Sequence, residues 1–206
     1  MIFQETDLIA LREEMRLRLS EKRYLHTLAV EDCAVRLCEM CMPDKKDEAA
    51  VAALLHDITK ELSLFEQRTL LREANIFLDS EDAESVGVLH SFTAPIMVSR
   101  DFPDFATQNV LSAIRYHTLG APEMSVFDEI IFLADFIEDT RTYESSLKLR
   151  KFVWESMYPH KLKENILVLH SACIRAIDST VLNLIENKKK INSKNILTRN
   201  ALLSKI

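Results

Sequence analysis

The chain has 206 residues, enough for one domain with a sizeable core, and its formal net charge of −6 gives no electrostatic reason to bind DNA or RNA. Two glycines and five prolines are too few for the many turns of a sheet protein, so long helices with short connections are expected. The longest unbroken apolar run, Ala49 to Leu55, is far shorter than the roughly 20 residues of a membrane-spanning helix, and Met1-Ile2-Phe3-Gln4-Glu5 has neither the basic start nor the apolar stretch of a signal peptide.

Residues 5–19 read as an amphipathic start, and Ser20 suits the N-cap of a helix running through Tyr24 to about Cys41. Pro43 and Asp44 break the chain, and a helix from about Asp47 reaches His56-Asp57 through Val51-Ala52-Ala53-Leu54-Leu55. Ser63 and Glu66 have capping-box spacing and open a helix to about Asn75, followed by an acidic loop over 76–83. Residues 84–100 carry His90 on a helix, and Pro103 suits the first turn of another that ends near His117. Gly120 and Pro122 mark a loop, Ser125 and Asp128 cap a helix to about Asp139, and a final long helix begins near Pro159. Its residues Ile166, Leu169, Cys173, Ile177, Val181 and Leu184 follow steps of three and four. The expected organisation is a single domain over 1–187 and a basic, weakly packed tail over 188–206, with Lys188-Lys189-Lys190 solvated. Cys38 and Cys41 have CxxC spacing, but no second pair completes a zinc site and their neighbours read as helix, so they and Cys33 and Cys173 are read as buried thiols of a protein in a reducing cytoplasm.

Four histidines and two aspartates stand in places that call for explanation. Asp57 follows Leu54-Leu55, and Asp135 interrupts Ile130-Ile131-Phe132-Leu133-Ala134. A carboxylate buried there is costly unless something compensates it. A divalent cation would do so, and imidazoles with carboxylates are ordinary ligands for iron, manganese or zinc. The alternatives stay open at this level. A lone helical histidine is more often a hydrogen-bonded structural residue, Asp57 suits a helix end, and Asp135 has Arg141 six residues on as a partner. Periodicity does not show that these helices converge.

The motifs taken together resemble a known group. Arg23-Tyr24-Leu25-His26-Thr27, then Leu54-Leu55-His56-Asp57-Ile58-Thr59-Lys60, then His117-Thr118-Leu119-Gly120 with Met124-Ser125, then Ala134-Asp135-Phe136-Ile137-Glu138-Asp139-Thr140-Arg141, are similar to the YqeK family of HD-domain metal-dependent phosphohydrolases. The resemblance spans about residues 20–180. It departs at Ser91, where many relatives have Gly, and at Asp139, where Pro is common. It implies an all-α HD-domain helical bundle around two divalent metal ions, iron first and manganese or another transition metal next. His26, His56, Asp57 and Asp135 would hold one ion; His90, His117 and a bridging Asp57 would hold the other.

The activity it implies is symmetrical cleavage of diadenosine tetraphosphate into two ADP by a water shared between the metals. Asp57 and Lys60 are then the catalytic candidates, and Arg23, Lys60, Thr118 and Arg141 the substrate contacts, with surface ion pairing the competing role for the cations. His170 reads as structural, and Tyr143, Trp154 and Tyr158 as packing residues rather than a base-stacking set. The expected partners are a dinucleoside polyphosphate and a second copy of the chain, with no nucleic acid and no membrane. Two other readings compete: an HD phosphohydrolase for another nucleotide, such as a monophosphate or a guanosine polyphosphate, and a nucleotide-binding module without turnover.

Overall fold

A computed structural model describes residues 3–206. Among them the chain forms eleven α-helices joined by loops and three 3-10 turns, with no strand. Local chemistry starts many of the helices. Ser20 accepts the Arg23 amide at the head of α2 (Glu21–Cys41), and Ser63 with Glu66 closes a capping box on α4 (Leu64–Glu73). Ser125 with Asp128 does the same for α8 (Val126–Ile137).

The centre of the molecule is α2, α3 (Lys46–Leu55) and α8. In α2 the buried residues His26, Val30, Cys33, Ala34, Leu37, Cys38 and Cys41 recur every three or four positions, the stripe a helix needs to face a core. Helix α3 is buried from Glu48 to Leu55, and Ala49, Ala50, Ala52 and Ala53 let its neighbours approach closely on every side. Helix α8 contributes Phe127, Ile130, Ile131 and Leu133, all essentially inaccessible. Each such side chain contributes about 1.5–3 kcal/mol by leaving water, and truncating Leu54 to Ala should cost about 2–5 kcal/mol. Helix α1 (Glu5–Arg18) packs on α3, and α10 (Leu162–Glu186) packs across α2, α8 and α9 (Glu144–Ser156). By length and mean hydropathy (1.2) α10 could cross a membrane, but Leu169, Cys173 and Ile177 on it belong to the core.

Several boundaries differ from the sequence reading. The acidic stretch expected as loop contains α5 (Ser80–Glu84), capped by Asp79. Pro103 opens only a 3-10 turn, and Thr107 caps a separate α7 (Gln108–Tyr116). Helix α9 was not expected at all; it buries Ser146, Leu149 and Val153. The last long helix begins at Leu162, past a positive-φ His160. Helix α6 (His90–Asp101) begins at His90 itself, after the 3-10 turn Val86–Val88.

The weakly packed tail needs correction. Residues 193–203 form α11 (Ser193–Leu203), with Asn192, Asn195, Thr198 and Leu202 buried. Its Lys and Arg side chains are taken up by acids: Lys194 by Asp79 and Asp82, Arg199 by Asp178, and Lys205, just beyond it, by Glu129. Polar composition suggested solvation because those acids lie far away in sequence. Lys188 to Lys190 are exposed, as expected.

Candidate metal centre

Four histidines and two aspartates from five helices meet in one buried cluster. His26 lies in the second turn of α2. His56 and Asp57 follow the last turn of α3, His90 is the first residue of α6, His117 caps the end of α7, and Asp135 lies in the last turn of α8. All but Asp135 are buried as whole residues. Three overlapping sets, His26–His56–Asp57, His56–His117–Asp135 and Asp57–His90–His117, each bring their ligand atoms within 4.8 Å of one another.

Asp57 divides its two oxygens between two groups of imidazoles. Oδ2 faces His56 Nε2 at 3.4 Å and His26 Nε2 at 3.7 Å. Oδ1 faces His90 Nε2 at 3.2 Å and His117 Nε2 at 3.6 Å. Asp135 Oδ1 lies 3.2 Å from His26 Nε2. His117 stands within reach of His56 and Asp135 as well as of His90, so it belongs to both sides of the cluster.

The tautomers follow from the outer hydrogen bonds. His56 Nδ1 donates to the Ala53 carbonyl at 2.6 Å, His117 Nδ1 to the Ile114 carbonyl at 2.7 Å, and His26 Nδ1 to Glu138 Oε1 at 3.1 Å. In a neutral ring the other nitrogen, Nε2, then turns a lone pair inward. The Nε2 atoms of His26 and His56 are buried with no hydrogen-bond partner. Orphaned inward-facing acceptors beside ionised carboxylates are the donor set a divalent cation needs, and outer partners of this kind fix ligand orientation. The residues therefore fit a metal.

The charges of the carboxylates and of two rings agree; His26 is the exception, where burial works downward but Asp135 and Glu138 raise its pKa overall. Burial alone would push the Asp57 carboxyl up, but the imidazoles of His56, His117 and His90 reverse this and hold it well below the usual carboxylate range. Burial likewise pushes Asp135 up, and His26 with Arg141 outweighs it. Burial is the largest cause that lowers both His117 and His90 below the ordinary imidazole value, which favours the neutral rings a metal ligand needs.

The expected substrate contacts surround this cluster. Arg23 Nη1 donates to Asp57 Oδ2 at 2.6 Å, and Arg141 donates from Nη2 to Asp135 Oδ1 at 2.5 Å and from Nε to the Asp135 carbonyl at 2.9 Å. Both arginines thus balance the cluster's own carboxylates. Lys60 Nζ lies 3.1 Å from His90 Nε2, and burial lowers its pKa. Thr118 donates to Ser91 Oγ at 3.1 Å.

Two supporting residues escaped the sequence reading. Buried Glu138 orients His26 and is itself held by the Thr140 amide at 2.5 Å and hydroxyl at 2.7 Å. Thr59 donates to the His90 carbonyl at 3.1 Å and fixes the start of α6. The available signal for Glu138 was its place three residues beyond Asp135, one helical turn on. His170 is structural, as expected, with Nδ1 2.6 Å from Glu129 Oε2.

Comparison with known proteins follows the same residues. The model of the HD domain family matches residues 23–139, which contain every member of the cluster. The chain belongs to the HD-domain family. Within it, this HD-domain chain is 33% identical over 187 residues to a protein of Halalkalibacterium halodurans named symmetrical bis(5'-nucleosyl)-tetraphosphatase, covering 90% of this chain and 91% of that one. A protein of Bacillus subtilis with the same name is 28% identical, covering 91% and 92%. Among solved structures, an HD superfamily hydrolase from Clostridium acetobutylicum, described as involved in NAD metabolism, superposes with a TM-score of 0.82 at 27% identity over the whole of both chains. The all-α HD bundle expected from the motifs is therefore the fold.

Proposed function

We propose that this chain hydrolyses diadenosine tetraphosphate symmetrically to two ADP, using two divalent metal ions held by the His–Asp cluster. The observation that carries the two-ion reading is Asp57, whose oxygens face separate groups of imidazoles. The substrate follows from the relatives, which are named for this cleavage over nine-tenths of the chain.

His26, His56, Asp57 and Asp135 would hold one ion, and Asp57, His90 and His117 the other, with iron the first candidate and manganese the next. Bound there, the ions supply Lewis acidity and lower the pKa of water at neutral pH. The protein's own groups do the rest. Asp57 spans the two groups and sets their spacing. The Ala53 and Ile114 carbonyls and the Glu138 carboxylate hold three rings with Nε2 inward. A polyphosphate carries several negative charges, and Lys60, together with Arg23 and Arg141, which also balance Asp57 and Asp135, would meet them. Lys60, beside His90, is positioned to stabilise charge that grows on the phosphoryl oxygens. The central P–O–P bond breaks, the oxygen of water joins one phosphorus, and the bridging oxygen leaves on the other ADP. That leaving group is already acidic, so no strong general acid is required. The four free, buried cysteines support a reducing compartment.

Product analysis after incubation of the Mn2+- or Fe2+-loaded protein with diadenosine tetraphosphate tests this. Two ADP are expected; AMP plus ATP, or turnover of a deoxynucleoside monophosphate or guanosine polyphosphate instead, would reject the assignment. Asp57→Ala should abolish both metal content and turnover.

A further inference from the structure

His90 stands on a different support from the rest of the cluster, and His117, although its helix α7 packs on α3 and α8, sits where that helix gives way to a loop. His26, His56, Asp57 and Asp135 come from α2, α3 and α8, which pack directly on one another. His90 instead begins α6 at the end of an arm made of α5 and the turn Val86–Val88. His117 ends α7 and opens the loop 118–124. Close to the rings, Thr118 donating to Ser91, and Ser91 donating to the Val88 carbonyl at 2.9 Å, tie the two arms. A cavity of about 780 Å3 lies between them, lined by Gly87 and Val88 of one arm and Thr118 and Leu119 of the other.

Helix α11 spans both arms. At its head, Lys194 Nζ donates to Asp82 at 2.7 Å and Asp79 at 3.0 Å, the Ser193 amide to Glu81 at 2.7 Å, and Asn192 to Asp82 at 3.0 Å. These bonds hold α5. In its middle, Thr198, fully buried, donates to the Leu119 carbonyl at 3.2 Å, two residues past His117. The contact is close because residue 120 is glycine: its φ of +69° is left-handed, and a Cβ there would lie 2.5 Å from Thr198 Cγ2. At about 1.5 Å per residue, the helix between Lys194 and Thr198 is a rigid spacer of one turn.

We propose that α11 is a positioning strap for the His90–His117 half of the centre, with Lys194 and Thr198 the positioning residues. They touch no ligand atom. They set the separation of the two arms, and thereby how His90 Nε2 and His117 Nε2, 3.0 Å apart, converge on Asp57 Oδ1. The kinetic part of this inference rests on the hydrolase reading above; the positioning part does not.

The test uses the full chain carrying Thr198→Val, Lys194→Met or both, with Thr198→Ser as the conservative control. Three measurements are made: the 15N–1H ring resonances of the Zn2+-loaded protein, steady-state kinetics of the Mn2+-loaded protein on diadenosine tetraphosphate, and thermal melting. In the double variant the His90 and His117 ring signals should shift while those of His26 and His56 stay. Its kcat should fall about tenfold, in the range seen when outer partners of a metal site are removed, with KM changed less than about twofold. Thr198→Ser, which keeps the hydroxyl and has Lys194 intact, should leave the ring signals and kcat at their wild-type values. Unmoved His90 and His117 resonances in a variant that melts earlier would overturn the strap and leave α11 a stabilising helix only. Shifts spread equally over all four rings would also overturn it. If wild-type protein cleaves no dinucleotide, the hydrolase reading fails, and the ring resonances still decide the strap.

Discussion

Glu138 decides which nitrogen of His26 faces the centre, and replacing it separates orientation from ligation. Its Oε1 accepts from His26 Nδ1 at 3.1 Å, and both oxygens are further held by Thr140. With Glu138→Ala the Nδ1–H loses its acceptor, the ring is free to turn or to carry its proton on Nε2, and the inward lone pair is no longer guaranteed. Loss of such an outer partner typically weakens metal binding 10–100-fold, or about 1.4–2.7 kcal/mol. Glu138→Gln keeps one acceptor oxygen that either His26 or Thr140 can use, so its loss should be smaller than that of Ala. The assay is competition for Mn2+ between chelator-stripped protein and a fluorescent chelator, with thermal melting run alongside. An unchanged affinity in Glu138→Ala, with a lowered melting temperature, would show that Glu138 serves the fold and not the site.

Other outcomes follow from groups away from the cluster. Burial pushes the Glu48 carboxyl up, but bonds from Lys45 at 2.7 Å, Thr107 at 2.8 Å and Asn109 at 3.1 Å outweigh it and hold its pKa below the ordinary value. Its stabilisation is therefore present above the ordinary carboxylate pKa and lost as pH falls through the folded one; urea unfolding across that acid range should show a shallower pH slope in Glu48→Gln, and an identical slope refutes the assignment. Lys205→Met removes the 2.8 Å ammonium partner of the fully buried Glu129 carboxylate and should cost about 1.5–3 kcal/mol in chemical denaturation; a change under about 0.5 kcal/mol, the size of an ordinary surface substitution, counts against it. Gly120→Ala should cost roughly 1–2 kcal/mol for the left-handed backbone alone, plus the clash with Thr198. Adding Thr198→Ser should return part of that, because Cγ2 is the nearest obstacle. Cys38 and Cys41 have thiols pushed up to about 12, chiefly by burial, so iodoacetamide should leave them intact in native protein and label them after denaturation.

Sequence alone determined what depends on near neighbours. The caps at Ser20, Ser63 and Ser125 and the stripes of α2 and α10 rest on side chains and amides within about four residues of each other, and they stand where expected. Burial of Cys38 and Cys41 followed from the helical pattern around them. The ordered motifs also named all six members of the cluster, because residue type and order survive without coordinates.

Tertiary structure decided everything that depends on distant partners. In sequence Arg23 and Arg141 are open to phosphate contact or ion pairing, with Arg141 a nearby partner for Asp135; the fold pairs each with a carboxylate of the cluster, Arg23 with one 34 positions away in the chain. The basic tail read as solvated because the acids that receive it, Asp79, Asp82 and Glu129, lie 76 or more positions upstream. Glu138 could not be tied to His26, 112 positions away, until α2 and α8 were seen side by side. Asp57 was named as a bridge by resemblance, but only the fold shows its two oxygens turned to different imidazoles. A hydrogen bond reaches about 3 Å, and no local pattern records which remote side chain will stand within that distance.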